Sequence, residues 1–316
     1  MQKMTIGSWE VNVGETRFLD GQQVSQLTEL VETWSDVEVG IRKNDAVPVK
    51  AVSELNVPTI LCRVDLAPFG IGETPAEKIF EIEARPAGFG LLLNLFPGFE
   101  HIREFWKPLS SVGAVVLGSR EVAAEDTKIF SEIMGWQWLS LHECNNGVPD
   151  FVWARGSSLD DGNGVNLARL ERRALAPLRS HGDKTYLLKM GLADKVGHSS
   201  PLPWDEPFVV KPQKGSKSDN VLLWHPTMSK KNGSGLSTKG KIEKTLDEER
   251  SFIMQPLILP QAEEQCGKHG FTIWRVYFAY DIRNSSWGFA GGLWNWRQCL
   301  KVHGASDSIF GALASS

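Results

Sequence analysis

The chain has 316 residues, 41% of them hydrophobic and 23% charged, with a formal net charge of -4. This is an ordinary globular composition with room for roughly two or three subdomains on a substantial core, and it excludes a nucleic-acid binder that works through bulk positive charge. The four cysteines, Cys62, Cys144, Cys266 and Cys299, lack C-x-x-C or histidine clustering, so the expectation is a soluble, cytoplasmic protein without a zinc site. No charged-then-apolar leader opens the chain, and no apolar run approaches membrane length.

In chain order, residues 5–19 alternate weakly, predicting a leading strand or two. Asp20 offers a helix cap, and Val24, Leu27, Leu30, Val31 and Trp34 then fall on one helical face. Residues 47–52 read as an edge strand because of Pro48, and 59–66 as a strand on which Arg63 and Asp65 share a face. Residues 112–141 form a predicted βαβ unit, with Gly118-Ser-Arg too poor in glycine for a dinucleotide fingerprint. A short strand at 151–155 precedes a surface loop at 157–164, where Asp160 and Asp161 lack EF-hand spacing. A helix is expected over 166–178 and a shorter one before Gly191. After Trp224, residues 225–250 are rich in Lys, Gly and Ser and predict a mobile flap. Strands are predicted at 251–255, 271–280 and 287–294. Tryptophans at 274, 287, 294 and 296 suit a packed core, or a platform for stacking a base or sugar.

Two stretches carry candidate chemistry. In Ile79-Phe80-Glu81-Ile82-Glu83-Ala-Arg85, both glutamates project from one strand face. Adjacent like charges on a half-buried strand are destabilising unless a cation separates them. Mg²⁺ held by one or two carboxylates plus phosphates would meet that need. A solvent-facing edge with Arg85 as counter-charge is the plain alternative. In Phe208-Val-Val-Lys211-Pro-Gln213-Lys-Gly215, an apolar strand ends on a lysine and turns through a Gly/Ser/Lys loop to Val221-Leu-Leu-Trp224. A half-buried lysine beside a flexible loop suits an anion, although an ordinary hairpin with a solvated lysine has the same pattern.

Read together, these blocks resemble the circularly permuted ATP-grasp ligases, eukaryotic-type glutathione synthetase and bacterial glutathionylspermidine synthase. The 208–221 stretch is similar to the family's V-[LV]-K-P-Q-R-E-G-G-G-N-N strand and glycine loop. Residues 80–90 resemble I-E-I-N-T-I-x-x-S-F-G, and Arg63-Val-Asp65 the Arg-x-Asp strand before it. Asp183-Lys184 stands where the family has the lysine preceding the glycine loop, and Met254-Gln255-Pro-Leu257 at the adenine hinge. Lys301, Asp307 and Gly311-Ala-Leu-Ala resemble the lysine and alanine-rich loop that closes over the substrates.

The resemblance implies an α/β protein with a circularly permuted ATP-grasp fold, an inserted Rossmann-like βαβ subdomain and a lid near 225–250. The implied segments are an N-terminal part with the acidic metal strand (1–108), the βαβ subdomain (109–165) and ATP-binding subdomains (166–316). It implies a ligase that uses ATP and Mg²⁺ to join a carboxylate to an amine, with no nucleic acid or membrane partner, and it is compatible with a homodimer. Lys184, Lys211, Gln213, Gly215, Asn220, Met254, Gln255 and Leu257 would hold ATP. Glu81, Glu83 and Asp219 would hold metal, and Arg63, Arg85, Arg297 and Lys301 would serve substrate and catalysis. The chain departs from the pattern where Gly215 and Ser216 replace the glycine-loop carboxylate, Glu83 replaces Asn, and Cys299 replaces an arginine. These departures leave a nucleotide-binding relative with weakened catalysis as the alternative. The remaining reading is an unrelated α/β protein that binds a sugar or base.

Overall fold

The computed structural model describes residues 2–6, 9–86, 89–95, 101–111, 115–117, 124–139, 143, 150–154, 170–178, 182–215, 221–228, 235–248, 250–300 and 308–316. Strands β1 (Gln2–Ile6), β2 (Trp9–Val13) and β3 (Arg17–Leu19) lead into helix α1 (Gly21–Arg42). Asp20 and Gln23 form a reciprocal cap: the Asp20 carboxylate accepts the Gln23 N–H at 2.8 Å, and the Gln23 side chain accepts the Asp20 N–H at 3.0 Å. Leu27, Leu30, Val31 and Trp34 are buried on the face that the spacing marks. Helix α2 (Lys50–Leu55) follows. It replaces the expected 47–52 edge strand, because Pro48 lies just ahead of the helix, where its missing N–H costs nothing. The left-handed Asn56 then ends it.

Strands β4 (Leu61–Leu66) and β5 (Ile79–Glu83) precede α3 (Phe89–Leu95), α4 (Ile102–Phe105) and α5 (Lys107–Ser111). A small parallel sheet holds β6 (Val115–Leu117) between β7 (Gln137–Leu139) and β8 (Val152–Ala154), with α6 (Ala124–Met134) as the crossover. This matches the expected βαβ unit. The helix expected over 166–178 does not reach its predicted end. Residues 172–178 form turns, and the backbone at 173–175 bonds to Val152 at the edge of β8. That pairing satisfies the same N–H and C=O groups that a helix would.

After α7 (Thr185–Lys189), a four-stranded sheet is ordered β11-β10-β12-β9, from β9 (Asp194–Val196), β10 (Phe208–Pro212), β11 (Leu222–Trp224) and β12 (Phe252–Pro256). The hairpin predicted around Lys211 is β10–β11. The expected 225–250 flap needs correction over its second half. Thr238 caps α8 (Lys239–Leu246), which buries Ile242 and Leu246 in one cluster with Phe208 and Val210. Two apolar residues at i, i+4 sufficed to dock a short helix in an otherwise polar segment.

The large sheet is completed by β13 (Gln261–Gln265), β14 (Lys268–Asp281), β15 (Ser286–Arg297) and β16 (Ile309–Ser315). Its order is β1-β2-β16-β15-β14-β4-β5, with β13 beside β14 and β3 beside β16. Residues from the first and last parts of the chain therefore share one sheet. Gly311-Ala-Leu-Ala, expected as a closing loop, is instead the middle of β16, antiparallel to β15 and parallel to β2 and β3. α1 covers one face of this sheet, and α3 and α6 pack toward the other.

The small residues of β16 make room for Trp294, whose Nε1 donates to the Glu15 carbonyl at 2.9 Å. A Cβ on Gly311 would lie 2.2 Å from Trp294 Nε1 and 2.6 Å from the Glu15 oxygen. Gly311→Ala is therefore expected to destabilise the fold by about 1–3 kcal/mol, read as a lowered denaturant midpoint at unchanged slope.

Candidate functional site

The acidic and basic stretches, 131 residues apart between Phe80 and Lys211, meet at the edge of β5. Among the described residues, β5 is the last strand on its side of the large sheet, and one edge of it has no strand neighbour. Register places Glu83 opposite Arg63 and Glu81 opposite Asp65. β14 then sets Tyr277 opposite Arg63, and Arg275 opposite Asp65. The alternation of each strand thus collects Glu81, Glu83, Arg63, Asp65 and Arg275 on one face. Arg63 Nε donates to Asp65 at 2.6 Å, its Nη2 lies 2.7 Å from Glu83, and Arg275 Nε is 3.8 Å from Asp65.

Arg63 is therefore the cation between Asp65 and Glu83. Burial works against its charge, but Asp65 and Glu83 more than offset this and push its pKa well above the ordinary range. Burial raises the Glu83 carboxyl, against the pull of Arg63 and with the help of nearby Glu81. A guanidinium so fully engaged holds the acidic cluster in place. It is no open clamp for a substrate carboxylate.

The other sheet supplies the cations. Lys211 lies near the end of β10 and is buried; its Nζ donates to the Phe80 carbonyl at 2.8 Å and to Gln255 Oε1 at 2.9 Å. An ammonium has three N–H donors, so one remains. Burial lowers the Lys211 pKa to about 8, opposed by the charge of Glu81 and reinforced by that of Lys184. Lys184 Nζ donates to the carbonyls of Gly215 at 2.8 Å and Gly182 at 3.2 Å. The backbone around Lys184 also runs against the loop, its N–H donating to the Gln213 carbonyl at 2.8 Å. Gln213 Nε2 in turn donates to Thr185 Oγ1 at 2.8 Å.

Thus Lys184, Lys211, Gln213, Gly215, Gln255, Glu81, Glu83 and Arg63 converge. Leu257 joins an apolar cluster with Val209, Leu223 and Leu300, on the sheet face that also carries Lys211. Met254 packs on the opposite face of that sheet, with the α8 cluster. Arg85 is buried just beyond β5, 2% exposed, and Arg297 ends β15, four residues along the strand from Leu293, the partner of Arg275. Asp219, Asn220 and Lys301 lie outside the described residues, as do 157–164. Arg275, and Tyr186 (which binds the β5 edge), were not expected as site residues. The alternation of Arg275 with Trp274 and Val276 was legible in the sequence, but its pairing partner was not.

Carboxylates of this kind are the ligands Mg²⁺ takes. Glu81 suits it: a half-buried carboxylate on the cluster face, beside Lys211, with no ion pair inside 4.0 Å among the described residues. Glu83 is shared with Arg63 and is the weaker candidate. Among the described residues no group of three or more His, Cys, Asp or Glu is arranged to hold a metal. Two carboxylates with phosphate oxygens and water remain an ordinary Mg²⁺ environment.

The fold is mixed α/β, and at the edge of β5 buried charged side chains from two sheets meet. No protein-family model matches the sequence, and no curated protein matches it. Among solved structures the chain is similar to a glutathione synthetase-like effector from Globodera pallida, determined in the apo form. The two are 9% identical, the match covers 99% of this chain and 93% of that one, and the TM-score is 0.48. No helix among the described residues is long and apolar enough to cross a membrane.

Proposed function

We propose that the protein is an ATP-dependent ligase of ATP-grasp type that joins a carboxylate to an amine and releases ADP and phosphate. The observation that carries this reading is the meeting of two buried lysines, Lys184 and Lys211, with the Glu81 edge of the other sheet. The charge of Lys184 works against that of Lys211, and a polyphosphate near both would relieve that repulsion. The apolar patch of Val209, Leu223 and Leu257 on the same sheet face suits an adenine ring.

Phosphoryl transfer needs neutralised charge and in-line placement more than covalent help. A substrate carboxylate oxygen bonds to the γ-phosphorus while the bond to the ADP oxygen breaks. The amine nitrogen then attacks the acyl carbon, phosphate leaves, and the amine releases a proton. Lys211 and Lys184 would neutralise phosphate oxygens. Arg63 fixes Glu83 and Asp65, and Gln255 orients the Lys211 ammonium. Mg²⁺ on Glu81, with Glu83 assisting, would supply further charge neutralisation at the phosphates.

A second reading is a nucleotide-binding module with weakened catalysis. It is favoured by the Arg63–Glu83 pair, which ties up one of the two expected metal carboxylates. Calorimetric titration with MgATP, followed by a phosphate-release screen over carboxylate and amine pairs, separates the two. Binding with phosphate release is expected. Binding without release for any pair selects the module, and no binding overturns both.

A further inference from the structure

The outer edge of β5 should present unpaired backbone groups, because no strand lies beyond it among the described residues. Side chains from the basic half of the site occupy them instead. Lys211 takes the Phe80 carbonyl. Tyr186 takes both groups of the residue between the two glutamates: its hydroxyl accepts the Ile82 N–H at 2.6 Å and donates to the Ile82 carbonyl at 3.0 Å. Tyr186 is 2% exposed and stands in the first turn of α7, two residues after Lys184. Its ring meets Trp34 of α1 edge-on at 6.3 Å between centroids, which limits its swing.

One phenol hydroxyl therefore ties the backbone beneath Glu81 and Glu83 to the helix that Lys184 precedes. We propose that Tyr186 is a positioning residue, which fixes the height and twist of the acidic strand so that its carboxylates face the two lysines at a distance set for a metal–polyphosphate. This rests on the reading of the charged cluster as a MgATP site. An edge strand held only by β4 could fray or shift by the few tenths of an ångström that matter to a hard cation with strict geometry. A hydroxyl that engages both N–H and C=O of one residue resists translation in either direction along the strand.

The test uses the full chain and Tyr186→Phe, which keeps the ring and its packing. Binding of ATP is titrated by calorimetry with and without Mg²⁺. The expected result is metal-free ATP binding within about twofold of the unaltered chain, with the Mg²⁺ concentration for half-maximal enhancement raised at least tenfold, the scale seen when groups that orient metal ligands are lost. A purely packing role would lower the melting temperature and leave the Mg²⁺ dependence in place; that outcome overturns the proposal. Amide exchange at Ile82 in the unaltered chain needs no variant to fold. Slow exchange is expected, whereas exchange as fast as that of an open edge amide also overturns it. If the unaltered chain binds no MgATP, the proposed reaction falls and the positioning role falls with it. If it binds MgATP and Tyr186→Phe shows the same Mg²⁺ dependence, only the positioning role falls.

Discussion

Glu81→Gln is expected to reduce Mg²⁺-dependent phosphate release by roughly two to three orders of magnitude, the several kcal/mol that a correctly held metal contributes to phosphoryl transfer. The amide keeps the shape of the side chain but removes the hard anionic ligand. Stability without ligand should change by less than about 1 kcal/mol, since Glu81 makes no close ion pair among the described residues and is half-exposed. Glu83→Gln should behave differently. Its carboxylate lies 2.7 Å from Arg63 Nη2, so neutralising it weakens a buried pair and costs on the order of 1–3 kcal/mol of stability. Its effect on phosphate release should be the smaller of the two. Replacing both glutamates is therefore not expected to stabilise the protein, because Glu83 is already paired with Arg63. Wild-type phosphate release from Glu81→Gln would remove the metal assignment.

Lys211→Ala is expected to weaken MgATP binding by about 2–4 kcal/mol, the cost of removing one member of a desolvated charge pair. Calorimetry at neutral pH measures it directly. The same lysine gives a pH signature. Its pKa is lowered from 10.5 to about 8 in the folded chain. Between those values the unfolded chain holds this proton and the folded chain does not, so stability without ligand should rise with pH across that window. Nucleotide affinity should move the other way. It holds below about pH 8, where the ammonium is intact, and falls by up to about tenfold per unit above it. Lys211→Ala should abolish both trends. An affinity for MgATP that is flat from about pH 7 to pH 10 would show that the lysine does not meet phosphate.

The parts of this molecule that were legible in the sequence are those where local pattern and tertiary demand agree. The capping box of α1, the hairpin at Lys211 and the βαβ unit all follow from short-range spacing. What misled was local pattern settled by a distant partner. Residues 172–178 look helical until Val152 offers its backbone, and 239–246 look too polar to pack until Phe208 and Val210 present a surface. β13, with sequence Gln-Ala-Glu-Glu-Gln, carries almost no strand propensity and exists because β14 pairs with it. At the site, residue types and faces were readable, because period-two alternation gives them. Partner identity was not: the resemblance implies that Arg63 serves the substrate, and only the β4–β5 register sets it beside Glu83.

The placement of β16 bears on how the chain reaches this structure. It lies inside the large sheet, between β15 and the strands of residues 9–19, and the Trp294 bond to Glu15 joins positions 279 apart. On a ribosome, β1 to β3 emerge long before the strand that anchors them, and β15 waits with a bare edge until residues 309–315 follow. Assembly should therefore be slow, as non-local pairing generally is. During that delay the tryptophan-rich β15 is a sticky surface, and holdase chaperones should raise the yield of native protein more than they raise the stability of the finished fold.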